Sequence, residues 1–495
     1  MTVAVEIRRR QRRDDVRRWL GRAGLVVLVA PMLLIIGAIA AGLHPLEAVV
    51  GVVFAAAVVG LIVAIMARPE LGALAIFALV AVVPVDTLFE HDVAFLSGGL
   101  KITDLLLLVS LGTWTVARAV DHRPVRLPSR PLTALVVAFL IVALYGVFTA
   151  RSSGVDVKLA LLELRAILVL LLVFPIVDGV RRIEDLERAL AVFLTAVALS
   201  AMIVTRDFIL GRGSVALFSN DATRINNLVY VYHLAGIVWG LSLIPFVRSR
   251  TVRTLLLVLT GVCAAALFYA SRRGGWIVAL LAPLIVLALL PLHRWSRSGR
   301  RLLLMVGAVV GVILFANSVS TNPIESPLTS ARERLFSLGR SDEDVSARHR
   351  VAELERAREL IRDRPLAGIG LGASITFISP LYDPVAEESN VLHTNIYVHN
   401  SYIWVALKLG LPALAVFLAL LGVAITEAYR GYTRTSDLRA RRLMLGGVAT
   451  LVALVLVALS EPHLTYVGSS PLLVGASALT QVVPRLTERP PVGPG

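Results

Sequence analysis

Apolar runs of about 17–25 residues recur along the whole chain, and a helix of that length crosses the hydrocarbon core of a bilayer. With 57% of 495 residues hydrophobic, no soluble fold of this size hides so much apolar surface. Lipid offers the backbone no hydrogen-bond partner, so a spanning segment satisfies its own N–H and C=O groups as a helix. The runs are continuous rather than alternating, which argues against a β-barrel. The expectation is an all-α polytopic membrane protein with about 12–14 transmembrane helices. The runs begin near Gly24, Leu46, Leu71, Ile102, Pro131, Leu159, Leu186, Asn226, Arg253, Gly274, Leu302, Asn400, Arg442 and Gly468. The first has no small-residue cleavage site followed by a soluble chain, so it reads as a retained span.

Charge placement sets the expected orientation. The net charge is +15 and nearly all of the positive charge is arginine; lysine occurs only at Lys101, Lys158 and Lys408. The arginines lie largely in short connections between runs, which argues against nucleic-acid binding and for the positive-inside rule. Residues 1–22 read as a basic cytoplasmic N-terminus and 23–316 as spans one to eleven. Residues 317–398 read as one large extracytoplasmic loop, 399–485 as the C-terminal spans and 486–495 as a cytoplasmic tail. Within the loop, helix-forming residues from about Asp344 to Asp363, stopped by Pro365, predict an amphipathic helix. Val351, Leu354 and Ile361 are its expected apolar face. The single cysteine, Cys263, sits in an apolar run and allows no intrachain disulfide.

Polar residues gather on the expected outer side. "SRRGGW" (271–276) joins two runs with almost no loop, placing Arg272 and Arg273 at the membrane boundary. Snorkelling anchors would explain them, but the positive-inside rule disfavours paired arginines there. Arg350 lies on the amphipathic helix, whose charges otherwise read as a solvated face. Gly368, Gly370 and Gly372 form a glycine-rich turn. His399 and Asn400 stand where the twelfth run begins. Asn400 suits a helix N-cap, and a helix N-terminus favours an anion. A histidine there can serve as a base near neutral pH. His393 and His399 have no regularly spaced third ligand, so no metal site is expected. Glu163 and Arg165 lie within the sixth run, too close in sequence to face each other, so each needs another partner. Glu461, Pro462 and His463 open the last external turn.

Together these residues resemble the O-antigen ligase and polymerase superfamily of Wzy/WaaL-like membrane glycosyltransferases. The family pattern H-[NSQ], nine residues, then G-x-x-G is similar to His399-Asn400, nine residues, then Gly410, with Ala413 replacing the last glycine. Lys408 stands where the family often carries an acidic residue, and Leu354 where it often carries an aromatic. Arg350 precedes "PLAGIGLG" (365–372) by fifteen residues, and "SRRGGW" looks like the family's "SRGA", with Arg272 at the family arginine and Arg273 extra. The resemblance implies transfer of a glycan from a polyprenyl (undecaprenyl) diphosphate donor to a sugar hydroxyl on a glycan or lipid-glycan acceptor. It implies a bacterial inner-membrane location, an extracytoplasmic site, and no metal, nucleotide sugar or other cofactor. His399, Arg272 and Arg350 are the expected catalytic residues; Arg273, Asn400, Gly370, Arg165 and His393 are expected to contact substrate. The rival readings are a transporter or flippase of lipid-linked saccharides, which should show internal repeats and midplane polar sites, and a membrane scaffold.

Overall fold

The computed structural model describes residues 102–121, 124–210, 214–215, 223–224, 230–270, 272–290, 345–383, 388–465 and 469–487. The basic N-terminus, the runs near Gly24, Leu46, Leu71 and Leu302, and most of the expected tail lie outside the described residues. The described chain is an all-α bundle. Its apolar helices are α1 (Ile102–Asp121), α2 (Arg130–Ser152), α3 (Val157–Leu168) continuing through a 3-10 turn into α4 (Val173–Gly179), and α5 (Ile183–Ile209). A two-residue ladder, β1 (Ser214–Val215) with β2 (Thr223–Arg224), precedes α6 (Tyr230–Leu243), α7 (Arg250–Tyr269) and α8 (Arg273–Leu289). After the long loop come α10 (Ser401–Leu409), α11 (Leu411–Arg434), α12 (Leu438–Val457) and α13 (Ser470–Thr487). Six described helices are long and apolar enough to span a membrane.

The start and stop chemistry is local. Ser129 caps α2 by accepting from the Leu132 amide, with Pro131 just inside the helix, where its missing N–H costs nothing. Leu132, Val136, Phe139, Ala143, Gly146 and Ala150 then recur every three or four residues and form its buried stripe. Val137, Ile141, Leu144 and Phe148 on the opposite face are exposed and just as apolar, the mark of a helix with lipid on its outside. α6 is buried all round, and it packs on α5, α7, α8 and α12 at the centre of the bundle.

The run expected to cross the membrane from Asn400 is two helices. α10 spans nine residues, roughly 14 Å at helical rise and about half the bilayer core. It stops at Gly410, whose φ of +87° is open to glycine but strained for other residues. A Cβ at Gly410 would stand 2.2 Å from the Leu366 carbonyl oxygen, and the next amide, Leu411, donates to the Pro365 carbonyl at 2.7 Å.

Within the long loop, α9 runs Val345–Asp363. An antiparallel hairpin follows, β3 (Ile375–Asp383) with β4 (Glu388–Asn395), in register Ile375↔Asn395 and Phe377↔His393. Ile375, Phe377 and Ser379 alternate inward; Thr376 and Ile378 point out. Ala357, Ile369, Ala373, Ile375, Phe377, Val398 and Leu407 form a small core that fastens α9 and the hairpin to α10. The fully buried face of α9 is His349, Glu353 and Ala357, one turn apart each; of the expected Val351, Leu354 and Ile361, the last two are half-buried against the small core and Val351 is 51% exposed. A polar face is buried because the hairpin and His399 supply its partners.

Candidate active site where the long loop meets the bundle

Arg272 forms the N-cap of α8, where the α7–α8 connection is too short to carry it away from the helix ends. Arg350 stands on α9. The two converge on one carboxylate oxygen of Glu461, at 3.2 Å from Arg272 and 3.0 Å from Arg350. Arg350 also donates to the Ser460 carbonyl at 3.3 Å. Burial alone would raise the Glu461 carboxyl, but the two guanidiniums outweigh it and hold Glu461 at about 2, ionised throughout the physiological range. Behind this trio the Arg272 guanidinium lies 6.0 Å from the centre of the Tyr230 ring, and the Tyr230 hydroxyl meets His463 Nε2 at 2.5 Å. Burial holds His463 down at about 4, so it stays neutral.

His399 is built into a second cluster. One oxygen of Glu353 accepts from the His399 amide at 2.9 Å and lies 2.9 Å from His399 Nδ1; the other accepts from the Asn395 amide nitrogen at 2.9 Å. Burial raises the Glu353 carboxyl, but hydrogen bonds and charge from His399, with Asn395 adding to them, bring it below its ordinary value. An ionised carboxylate only accepts, so Nδ1 carries the hydrogen and Nε2 is left to meet a substrate proton. His349 backs this cluster with its Nδ1 2.6 Å from the Ser379 hydroxyl, and burial holds it at about 4. Tyr397, half-exposed, stands edge-on to His399 with ring centres 5.4 Å apart.

The two clusters are stitched together. Asn400 caps α10, accepting from Tyr402 at 2.9 Å and Ile403 at 3.0 Å, and donates to the Leu459 carbonyl at 2.9 Å. The Ser401 hydroxyl donates to the Glu461 carbonyl at 3.0 Å. His399 thus sits at the threshold of a short helix whose first turn is pinned to the Glu461 segment.

Several expected contacts have other roles. Asn400 spends its amide on the cap and on Leu459. Gly370 is buried, with φ +92°, and a Cβ there would lie 2.6 Å from the Ala150 amide nitrogen, so it packs the loop onto α2 and presents no surface to substrate. Arg165 pairs with Asp104 at 2.8 Å, inside the bundle. Glu163 pairs with buried Lys408 at 2.9 Å and accepts from the Gly372 amide. Separate partners for Glu163 and Arg165 are what their spacing demands. His393 Nε2 faces Asn395 Oδ1 at 3.0 Å, so it supports His399 through Asn395 and Glu353. Arg273 opens α8 beside Arg272. Among the described residues no three His, Cys, Asp or Glu side chains are placed to hold a metal ion. Sequence reasoning missed Glu353, read as one more charge on a solvated face. The available signal was its place one turn after His349 and three residues after Arg350.

Residues 255–418 match the family model described as O-antigen ligase. That segment contains Arg272, Arg350, Glu353 and His399; Glu461 lies beyond it. No curated protein matches the chain.

Proposed function

We propose that the chain, a multi-pass membrane protein whose residues 255–418 match the O-antigen ligase model, works as a ligase or polymerase in polysaccharide biosynthesis and moves a glycan from a polyprenyl diphosphate to a sugar hydroxyl on the extracytoplasmic face. One observation carries this reading: Arg272 and Arg350, from separate elements, converge beside a histidine whose Nδ1 is committed to Glu353. In the reaction the bond between the sugar's anomeric carbon and the diphosphate oxygen breaks, and its electron pair stays on the diphosphate. Arg272 and Arg350 meet the charge that develops there, and guanidiniums suit it because they grip phosphate through paired N–H groups. The acceptor hydroxyl oxygen bonds to the anomeric carbon while its proton passes to His399 Nε2. Glu353 stabilises the imidazolium so formed, as a carboxylate behind a base does. The arginines neutralise the leaving group, so this reading uses no metal, nucleotide sugar or other cofactor.

The test is reconstitution of the purified chain with a purified polyprenyl-diphosphate glycan. Lengthened lipid-linked chains identify a polymerase, and glycan on a new acceptor identifies a ligase. Translocation without any new glycosidic bond would overturn the reading in favour of a transporter.

A further inference from the structure

The reaction just proposed leaves a charge problem at its end. The donor diphosphate is esterified at both ends. Once the sugar has gone, one end is a terminal phosphate and carries about one more negative charge near neutral pH. Two fixed arginines, Arg272 nearly buried and Arg350 about a third exposed, would therefore hold the product more tightly than the substrate. The structure places a third charge among them. Glu461 has a side chain 6% exposed, touches both guanidiniums through the same oxygen, and is itself held by its backbone. Its carbonyl accepts from Ser401, whose hydroxyl also accepts from the Leu464 amide at 3.2 Å. The backbone is fixed in this way, and the carboxylate itself is held between the two guanidiniums. Each guanidinium has five N–H donors, of which Glu461 takes one from each and the Ser460 carbonyl a second from Arg350.

We propose that Glu461 is a positioning and charge-offsetting residue that lets the polyprenyl diphosphate leave: it aligns Arg272 with Arg350 and cancels part of their charge. The proposal rests on the functional reading above. It differs from a purely structural ion pair in the sign of one effect. If Glu461 only held the arginines in place, neutralising it would loosen them and weaken diphosphate binding. If it offsets their charge, neutralising it tightens binding and slows turnover. Ionisation at all working pH values, given a carboxyl held at about 2, is what the offset needs.

The experiment uses the full chain in lipid nanodiscs and three proteins: wild type, Glu461→Gln and Glu461→Asp. Equilibrium binding of a polyprenyl diphosphate without sugar is measured, and glycan transfer is followed from the first turnover. Glu461→Gln should bind the diphosphate about tenfold more tightly and show one fast turnover followed by a slow steady state. Glu461→Asp, which keeps the charge, should bind like wild type. Unchanged or weaker binding by Glu461→Gln overturns the proposal, as does tightening by Glu461→Asp to the same degree. Glu461→Met, neutral and of similar length, repeats the binding test should the glutamine variant fail to reach the membrane folded. If folded wild type neither binds the diphosphate nor transfers glycan, the functional reading itself fails. If wild type does both and no neutral variant binds more tightly, only the release role fails.

Discussion

Glu353 is fully buried, carries a negative charge, and has a hydrogen-bonded partner on each oxygen. A buried carboxylate is costly unless it is paired, and here the pairing fixes which nitrogen of His399 faces substrate. Glu353→Gln keeps the shape but turns an N–H toward Nδ1 or removes the charge that stabilises the imidazolium. We expect kcat to fall by roughly 10²–10⁴-fold, the range general-base and tautomer defects produce, with Glu353→Asp retaining more; single-turnover transfer rates check this. Arg272 is the second test. Removing one fixed donor to a developing negative charge costs about 10²–10³-fold in kcat. Arg272→Ala should therefore abolish transfer while the protein remains in the membrane. Arg272→Lys should rescue poorly, because an ammonium lacks the guanidinium fork. Full activity in Arg272→Ala would leave the phosphate role to Arg273 or to neither, and the double variant separates those outcomes.

α9, the hairpin and α10 work as one unit, because a small apolar core and the Glu353 hub join them. Their stability should depend on acid in two stages. Burial lowers His349 to about 4, below its ordinary value of about 6.5, so the unfolded chain binds more protons between those limits and stability falls as pH drops through them. Glu353 and Glu461 are lowered carboxyls, so their contribution is present above about 4.5 and is lost below it. Thermal unfolding between pH 7 and pH 4 should show a falling midpoint, and His349→Gln should flatten the upper part of that fall; an unchanged slope would remove His349 as the cause. The same unit shows where sequence reading stops. The end of α9 is legible because its helix formers and Pro365 are local. The polar part of its buried face is not, since Glu353 is satisfied by Asn395 and His399, some 40 residues on. The hairpin escapes notice because β3 contains Pro380 and β4 is mostly polar. The break at Gly410 is hidden by an apolar run that continues through it; the left-handed turn depends on the Pro365–Leu366 backbone packed against it.

At the scale of the whole molecule, the helix ends divide the charge. Arg130, Arg182, Arg248, Arg250, Arg434, Arg439, Arg442 and Arg485 fall at the ends that share the Ser129–Gln481 and Arg439–Glu187 contacts. The opposite end carries the Arg272–Glu461–Arg350 trio and His399, and the glycine-rich turn packs there on the last turn of α2. Lengths of span and arginine bias were readable residue by residue, since hydrophobic thickness and translocation both act on local sequence. On the proposed orientation, that bias has the arginine-rich ends in the cytoplasm and the trio outside. It also suits the chemistry, because a lipid-linked glycan bound for the cell surface meets its acceptor beyond the membrane. Single-cysteine labelling of intact cells decides the matter, with buried Cys263 as a silent background. A cysteine at the exposed position Glu355 on α9 should react with a membrane-impermeant maleimide, and one at Ser249, ahead of α7, should react only after the membrane is opened. The reverse pattern would put the trio in the cytoplasm, away from any surface acceptor, and the proposed transfer could not occur where the arginines stand.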